Sequence, residues 1–287
     1  MATAPVPPLP VLPKLIASDL DGTLLRSDGT LSQRTRAALS AAERVGIRVV
    51  LVTGRPPRSV PALLELVGPY AVIAANGAAT HAADGSLARV SGISPSTAAQ
   101  LVARVRGALP GVSFAVEYDS GFGREPAYPT WSFGEETVEL VGAAEELLTS
   151  APGRRALKIL AHHPTLPLGD FYERALQTVG TSAETTHSTG LSLVEFSAPG
   201  VTKATTLITW SGLLGIAGHE IAAFGDMPND LPMLAAAGGS YAVANAHPDV
   251  LAAARHRAPS NDEDGVAQIL EGFVDAALQR HRPGTRR

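Results

Sequence analysis

An α/β protein with a parallel sheet, interrupted by a separate α+β module, is the fold class this sequence predicts. Three observations carry that prediction. Short apolar runs alternate with amphipathic stretches at βαβ spacing in the first 80 residues. Hairpin signals and alternating strands replace that pattern from about Ala79. The α/β pattern then returns after Phe196.

The first run, Leu15-Ile16-Ala17, is short and apolar, as a buried parallel strand is. It leads through Ser18 into Asp19-Leu20-Asp21-Gly22-Thr23, two carboxylates one residue apart followed by glycine. In open α/β sheets chemistry gathers at the carboxyl ends of strands. Two acids there make a nucleophile and metal constellation; the plainer alternative is an Asp-Gly turn. Ser32 caps a predicted helix over Gln33 to Val45, with Ala37, Ala38 and Ala41 on its apolar side, and Gly46 ends it. Ile47 to Val52 is a second buried strand, which stops at Thr53-Gly54-Arg55. A hydroxyl, a glycine and an arginine at a strand end suit an anion. A helix follows over Arg58 to Leu66, then a third strand over Tyr70 to Ala75. Asn76-Gly77 after it reads as a turn and nothing more.

The module that follows opens with a hairpin of Thr80-His81 and Leu87 to Val90 around Ala82-Ala83-Asp84-Gly85. A helix over Pro95 to Leu109 and a half-buried strand over Val112 to Glu117 come next. Asp119 to Trp131 is rich in glycine, proline and aromatics. Within it Gly121 to Pro126, with Arg124 and Glu125, reads first as a structural loop and second as a segment facing a ligand. A helix over Ala143 to Leu148, a strand over Arg155 to His162, a helix over Phe171 to Val179 and a strand over Leu191 to Phe196 complete the module. Adjacent His162 and His163 on a strand point to opposite faces, which excludes joint metal binding and suggests surface or rim positions.

Pro199-Gly200-Val201-Thr202-Lys203 then precedes a helix over Ala204 to Leu214. Lys203 is one of only three lysines, against twenty arginines. A cation in a first helical turn opposes the helix dipole unless an anion sits there. A strand over Ile221 to Phe224 runs into Gly225-Asp226-Met227-Pro228-Asn229-Asp230. Three oxygen-bearing side chains in five residues form a metal-site candidate, with an Asp-capped helix as the alternative. A strand over Tyr241 to Ala244 and helices over Val250 to Arg255 and Val266 to Leu278 close the pattern.

Bulk composition narrows the chemistry. A chain of 287 residues with 45% apolar composition supports a full core. A net charge of −4 offers no nucleic-acid surface. With no cysteine, any metal must be held by oxygen or histidine, and an oxygen set suits a hard ion such as magnesium. No apolar run is long enough for a membrane span. Five prolines and no positive charge in Met1 to Pro13 argue for a loose tail over a signal peptide, so a cytoplasmic location is expected. Four arginines in Arg280 to Arg287 read as a second, basic tail.

Together these stretches resemble the haloacid dehalogenase (HAD) superfamily of phosphohydrolases, and within it the Cof-type phosphatases. Asp19-Leu20-Asp21-Gly22-Thr23 is similar to the family's first motif and Thr53-Gly54-Arg55 to its second. Lys203 is similar to the third, and Gly225-Asp226-x-x-Asn229-Asp230 to the fourth. Asn76-Gly77-Ala78, Ala244-Asn245-Ala246 and Ser260 to Ala267 also look like Cof-type sequence.

The resemblance implies a Rossmann-like core over 14–80 and 190–278 and a C2-type cap over 81–189, and composition leaves tails over 1–13 and 279–287. It also implies magnesium-dependent hydrolysis of a small phosphate monoester, such as a sugar phosphate, through an aspartyl-phosphate on Asp19. Asp21 is then the acid and base, and contributes its backbone carbonyl to the metal beside Asp19 and Asp226. Leu20, Thr53, Gly54, Lys203 and Asn229 hold the phosphoryl group, with Asp230 orienting from behind. The partner expected is a small phosphorylated metabolite, with neither nucleic acid nor membrane. A phosphomutase would need a cap that holds a bisphosphate, and the cap shows no dense arginine cluster. A non-catalytic phosphometabolite-binding protein has no need of both Asp19 and Asp21. An oxidoreductase on such a core would carry Gly-x-Gly-x-x-Gly after the first strand, which is missing.

Overall fold

The computed structural model describes residues 12–130, 140–149, 155–187 and 192–280. Expectations placed on residues 1–11, 131, 191 and 281–287 lie outside them. The described residues fall into two compact units. One draws on Met1–Thr53, Leu64–Ala71 and Leu207–Arg287, the other on Gly54–Leu63 and Val72–Thr206.

In the first unit five strands run parallel. Their spatial order is His256–Ala258, Gly239–Val243, Ile221–Gly225, Leu15–Ser18 and Arg48–Val52. The apolar runs form strands because both faces are covered: Leu15, Ile16 and Ala17 have no exposed surface, and neither do Ala222 and Ala223. Helices Gln33–Arg44 and Gly265–Arg280 lie against each other in this unit. Ser32 caps the first as expected, accepting from the Thr35 N–H at 2.9 Å. Its buried stripe is Thr35, Ala38, Leu39 and Ala42, whereas Ala37 is exposed. The correction is a rotation of the apolar face: Leu39 offers more surface to bury than the flanking alanines, and the helix turns to bury it. Tyr241 stacks on Phe224 with ring centroids 4.9 Å apart, and burial pushes its phenol up to about 12.

The second unit holds a six-stranded sheet. Its spatial order is Glu184–Thr186, Leu193–Ser197, Ala156–His162, Ser113–Tyr118, Gly121–Arg124 and Leu140–Val141. All neighbours are antiparallel except the last pair. Helices Pro95–Ala108 and Leu168–Val179 supply the core on one face, where Leu101, Val105, Phe114, Ile159, Phe171 and Phe196 meet. The hairpin of Ala79–His81 and Leu87–Val90 forms as expected, but it does not open this sheet: Ala79–His81 pairs antiparallel with the strand Ala71–Ala74, so backbone pairing assigns the hairpin to the other sheet. The α/β core and α+β insertion read from the sequence are therefore both present.

Three local expectations change. The strand Ser113–Tyr118 is buried along its whole length, not on one face. Its second face carries Ala115 in an apolar cluster with Phe122, Tyr128, Leu160 and Leu193, and Glu117 in an ion pair with Arg58. His163 is no surface residue. It lies just past the strand end, 7% exposed, with Nε2 3.1 Å from the Pro110 carbonyl and Nδ1 accepting from the Leu166 N–H at 3.1 Å. Those partners set the ring as an Nε2–H tautomer that ties two loops together. The segment Gly121 to Pro126, read first as a structural loop, is structural but carries a strand over Gly121–Arg124, and Glu125 after it braces the sheet instead of facing a ligand: its carboxylate accepts from the Phe114 and Ala144 N–H groups and from Arg106. The strands Glu184–Thr186 and His256–Ala258, three residues each, are too short to leave a periodicity in sequence.

Candidate active site

Register places the acidic motifs side by side. Ser18 pairs with Phe224 on one side and Leu51 on the other. The next residues, Asp19, Gly225 and Val52, therefore sit at adjoining carboxyl ends of three parallel strands, with Asp19 on the central one. Its N–H donates to the Phe224 carbonyl at 3.0 Å, which continues the ladder past the strand and fixes the Asp19 backbone. Beyond it Leu20–Leu24 makes one wide turn, closed by the Leu25 N–H on the Leu20 carbonyl at 2.8 Å. Asn245 Nδ2 donates to the Gly22 carbonyl at 2.7 Å, and Asn261 Nδ2 to the Leu25 carbonyl at 3.0 Å. These two asparagines come from the Cof-like stretches near the end of the chain, and they pin the acidic turn from outside.

Asp19, Asp226 and Asp230 each bring a carboxylate oxygen to within 4.8 Å of the others. All three are buried, at 6%, 7% and 0% exposure. Asp226 Oδ1 accepts from the Thr23 hydroxyl at 2.7 Å. One Asp230 oxygen accepts from the N–H groups of Asp226 and Met227, both at 3.1 Å. Asp230 is thus a brace of the Gly225–Asp230 loop as well as a member of the acidic cluster. Three buried carboxylates repel one another, and an oxygen-only donor set of this kind fits a hard divalent cation.

Asp21 has an exposed side chain on the rim of the turn. Leu20 and Thr53 are buried, and Thr53 follows the strand Arg48–Val52 that flanks Leu15–Ser18. Asn229 is partly buried in the loop with Asp226. Gly54 and Lys203 belong to the second unit. Lys203 opens the helix Lys203–Leu213 and is 2% exposed, so a solvated lysine stem does not describe it. Sequence reasoning passed over Thr23, Asn245 and Asn261 as working parts of the turn. A side chain that bonds a main-chain carbonyl across more than 200 residues leaves no local signal.

Gly22 shows why glycine follows the second acid. Its φ is +79°, and a Cβ there would lie 2.5 Å from Asp226 Oδ2. We expect Gly22→Ala to cost about 1–3 kcal/mol from backbone conformation alone and to displace the Asp226 carboxylate. Melting and turnover, measured together, should both fall; wild-type values for both would refute this.

Comparison with known proteins agrees with the geometry. The haloacid dehalogenase-like hydrolase family matches residues 16–270. The HMP-PP phosphatase of Cronobacter sakazakii is 30% identical over 253 residues, covering 85% of this chain and 88% of that protein. Phosphatase YwpJ of Bacillus subtilis is 31% identical over 295 residues, covering 91% and 100%. A solved haloacid dehalogenase-like hydrolase from B. subtilis superposes with a TM-score of 0.80 at 27% identity, covering 90% of this chain and 99% of that one. With its parallel-strand acidic cluster, its inserted α+β sheet and relatives that are phosphatases, this chain belongs to the haloacid dehalogenase-like hydrolase family and is a phosphatase.

Proposed function

We propose that the protein hydrolyses a small phosphate monoester, a sugar phosphate or similar metabolite, through an aspartyl-phosphate on Asp19. The observation that carries this reading is the convergence of buried Asp19, Asp226 and Asp230 where three parallel strands end. A phosphate monoester is an anion and repels nucleophiles, so catalysis must position the attacking group and neutralise oxygen charge. An Asp19 carboxylate oxygen attacks phosphorus, and the bond from phosphorus to the leaving oxygen breaks. Asp21 gives that oxygen its proton; its exposed side chain suits a group that meets the leaving alcohol and then water. In the second half water attacks phosphorus, Asp21 takes the proton, and the bond to Asp19 breaks to release inorganic phosphate.

Asp19 and Asp226 would hold magnesium together with the Asp21 carbonyl, while Asp230 orients from behind. The ion, when bound, supplies Lewis-acid charge opposite the phosphoryl oxygens. The Thr53 hydroxyl, the Leu20 and Gly54 amides, Asn229 and Lys203 hold those oxygens. The test is a screen of sugar phosphates, nucleotides and HMP-PP with magnesium. Failure on every phosphate monoester would end the reading.

Lys203 provides a quantitative check. A charged hydrogen bond is worth about 1.5–3 kcal/mol. Lys203→Ala should lower kcat/KM by about ten- to a few-hundred-fold, in kcat as well as KM. Arginine should not rescue it fully, since its planar fork is longer and broader than an ammonium. Unchanged kinetics would remove Lys203 from the phosphate site.

A further inference from the structure

The Asn76-Gly77 turn and the buried Lys158–Glu195 pair have no part in the chemistry above. Three successive residues, Ala75, Asn76 and Gly77, have positive φ of +50°, +54° and +105°. For alanine and asparagine that conformation is strained and persists only when its surroundings hold it. Here they do. The Ala75 N–H donates to the Arg55 carbonyl at 2.8 Å. Asn76 Nδ2 donates to Glu195 Oε2 at 2.6 Å, and Lys158 Nζ donates to Glu195 Oε1 at 3.0 Å. Lys158 Nζ also donates to the Gly54 carbonyl at 2.9 Å. Asn76, Lys158 and Glu195 are 3%, 4% and 5% exposed, so these bonds form away from water.

Both ends of this network reach a proposed phosphate-holding element of the same unit. At one end two consecutive carbonyls, Gly54 and Arg55, are tied back by Lys158 and Ala75. Glycine has the widest backbone freedom of any residue, and these bonds remove it. A trans peptide directs its N–H opposite its C=O, so the loop turns the Arg55 amide away from Lys158. At the other end Gly77 lies against Thr202: a Cβ on Gly77 would be 2.3 Å from the Thr202 carbonyl oxygen. The Thr206 hydroxyl donates to the Gly77 carbonyl at 2.8 Å. Thr202 and Thr206 flank Lys203 at the start of its helix.

We propose that Asn76 and Lys158, joined through Glu195, are positioning residues that set the Gly54 loop and the start of the Lys203 helix in register for binding phosphate. The proposal rests on the functional reading above and deepens it. The competing account is a buried ion pair that only stabilises the fold.

Lys158→Met alone would strand the Glu195 charge and unfold the protein in part. The double variant Lys158→Met with Glu195→Gln removes both charges and keeps an acceptor for Asn76, so it separates the two accounts. Melting, kcat and KM for p-nitrophenyl phosphate with magnesium, and the inhibition constant of inorganic phosphate should be measured on wild type and both variants. The expected result is a double variant that melts above Lys158→Met yet binds inorganic phosphate about tenfold or more weakly than wild type, with kcat/KM reduced in parallel. A double variant with wild-type phosphate inhibition and kcat/KM, in an enzyme whose wild type is active, overturns this proposal alone. A wild-type protein that neither hydrolyses phosphate monoesters nor binds phosphate overturns the functional reading and this proposal with it.

Discussion

Asp19→Asn should abolish turnover, by about four orders of magnitude or more, while the protein stays folded. The side chain stands just past the strand Leu15–Ser18, between the ends of Arg48–Val52 and Ile221–Gly225. Its main chain is anchored by the N–H bond to the Phe224 carbonyl, and that bond survives the substitution. The amide has nearly the shape of the carboxylate and can accept the same hydrogen bonds, but its oxygen does not attack phosphorus. One of three mutually repelling charges is also removed, so melting without metal should hold or rise. The measurement is steady-state hydrolysis beside thermal melting on the same preparation. A folded, pure variant that keeps substantial magnesium-dependent activity would take the nucleophile role from Asp19.

Removing divalent metal should likewise stop hydrolysis, and calcium should not restore it. The three buried carboxylate oxygens lie within 4.8 Å of one another, which sets each pair at roughly 3 kcal/mol of repulsion or more at an effective dielectric constant of about 20. A cation relieves that repulsion, so magnesium should also raise the melting temperature. At 100 times its dissociation constant the stabilisation is about 2.7 kcal/mol. Calcium fits the same oxygens and should raise melting too. It takes more ligands than magnesium and favours both oxygens of a carboxylate, which would occupy the Asp19 oxygen needed for attack. Full activity after exhaustive chelation, equal rates with calcium, or a melting temperature indifferent to both ions would contradict the assignment.

The apolar run at Leu15, the cap at Ser32, the turn at Gly46 and the change of pattern at Ala79 were all legible, because each is a local choice made by neighbouring residues. Asp19, Asp226 and Asp230 were legible as acids at strand ends for the same reason. Their convergence followed from a topological regularity, that parallel strands present their carboxyl ends together. Other features belong to contacts between distant segments. The rotation of the Gln33–Arg44 helix toward Leu39 is one, and the double burial of Ser113–Tyr118 is another. His163 looked like a rim residue because nothing in its neighbourhood names the Pro110 carbonyl.

By itself, then, the sequence determined the fold class, the longer helices and strands in their order and the acids at the strand ends, since periodicity, capping and turn chemistry act over a few residues. Only the tertiary structure decided that Asp230 braces its own loop and that Asn245 and Asn261 pin the acidic turn. It alone joined Lys158 and Asn76 through Glu195 and set Lys158 on the Gly54 carbonyl. A buried polar group must find a partner when it leaves water, but the partner's place in the chain is set by packing, which no local pattern records.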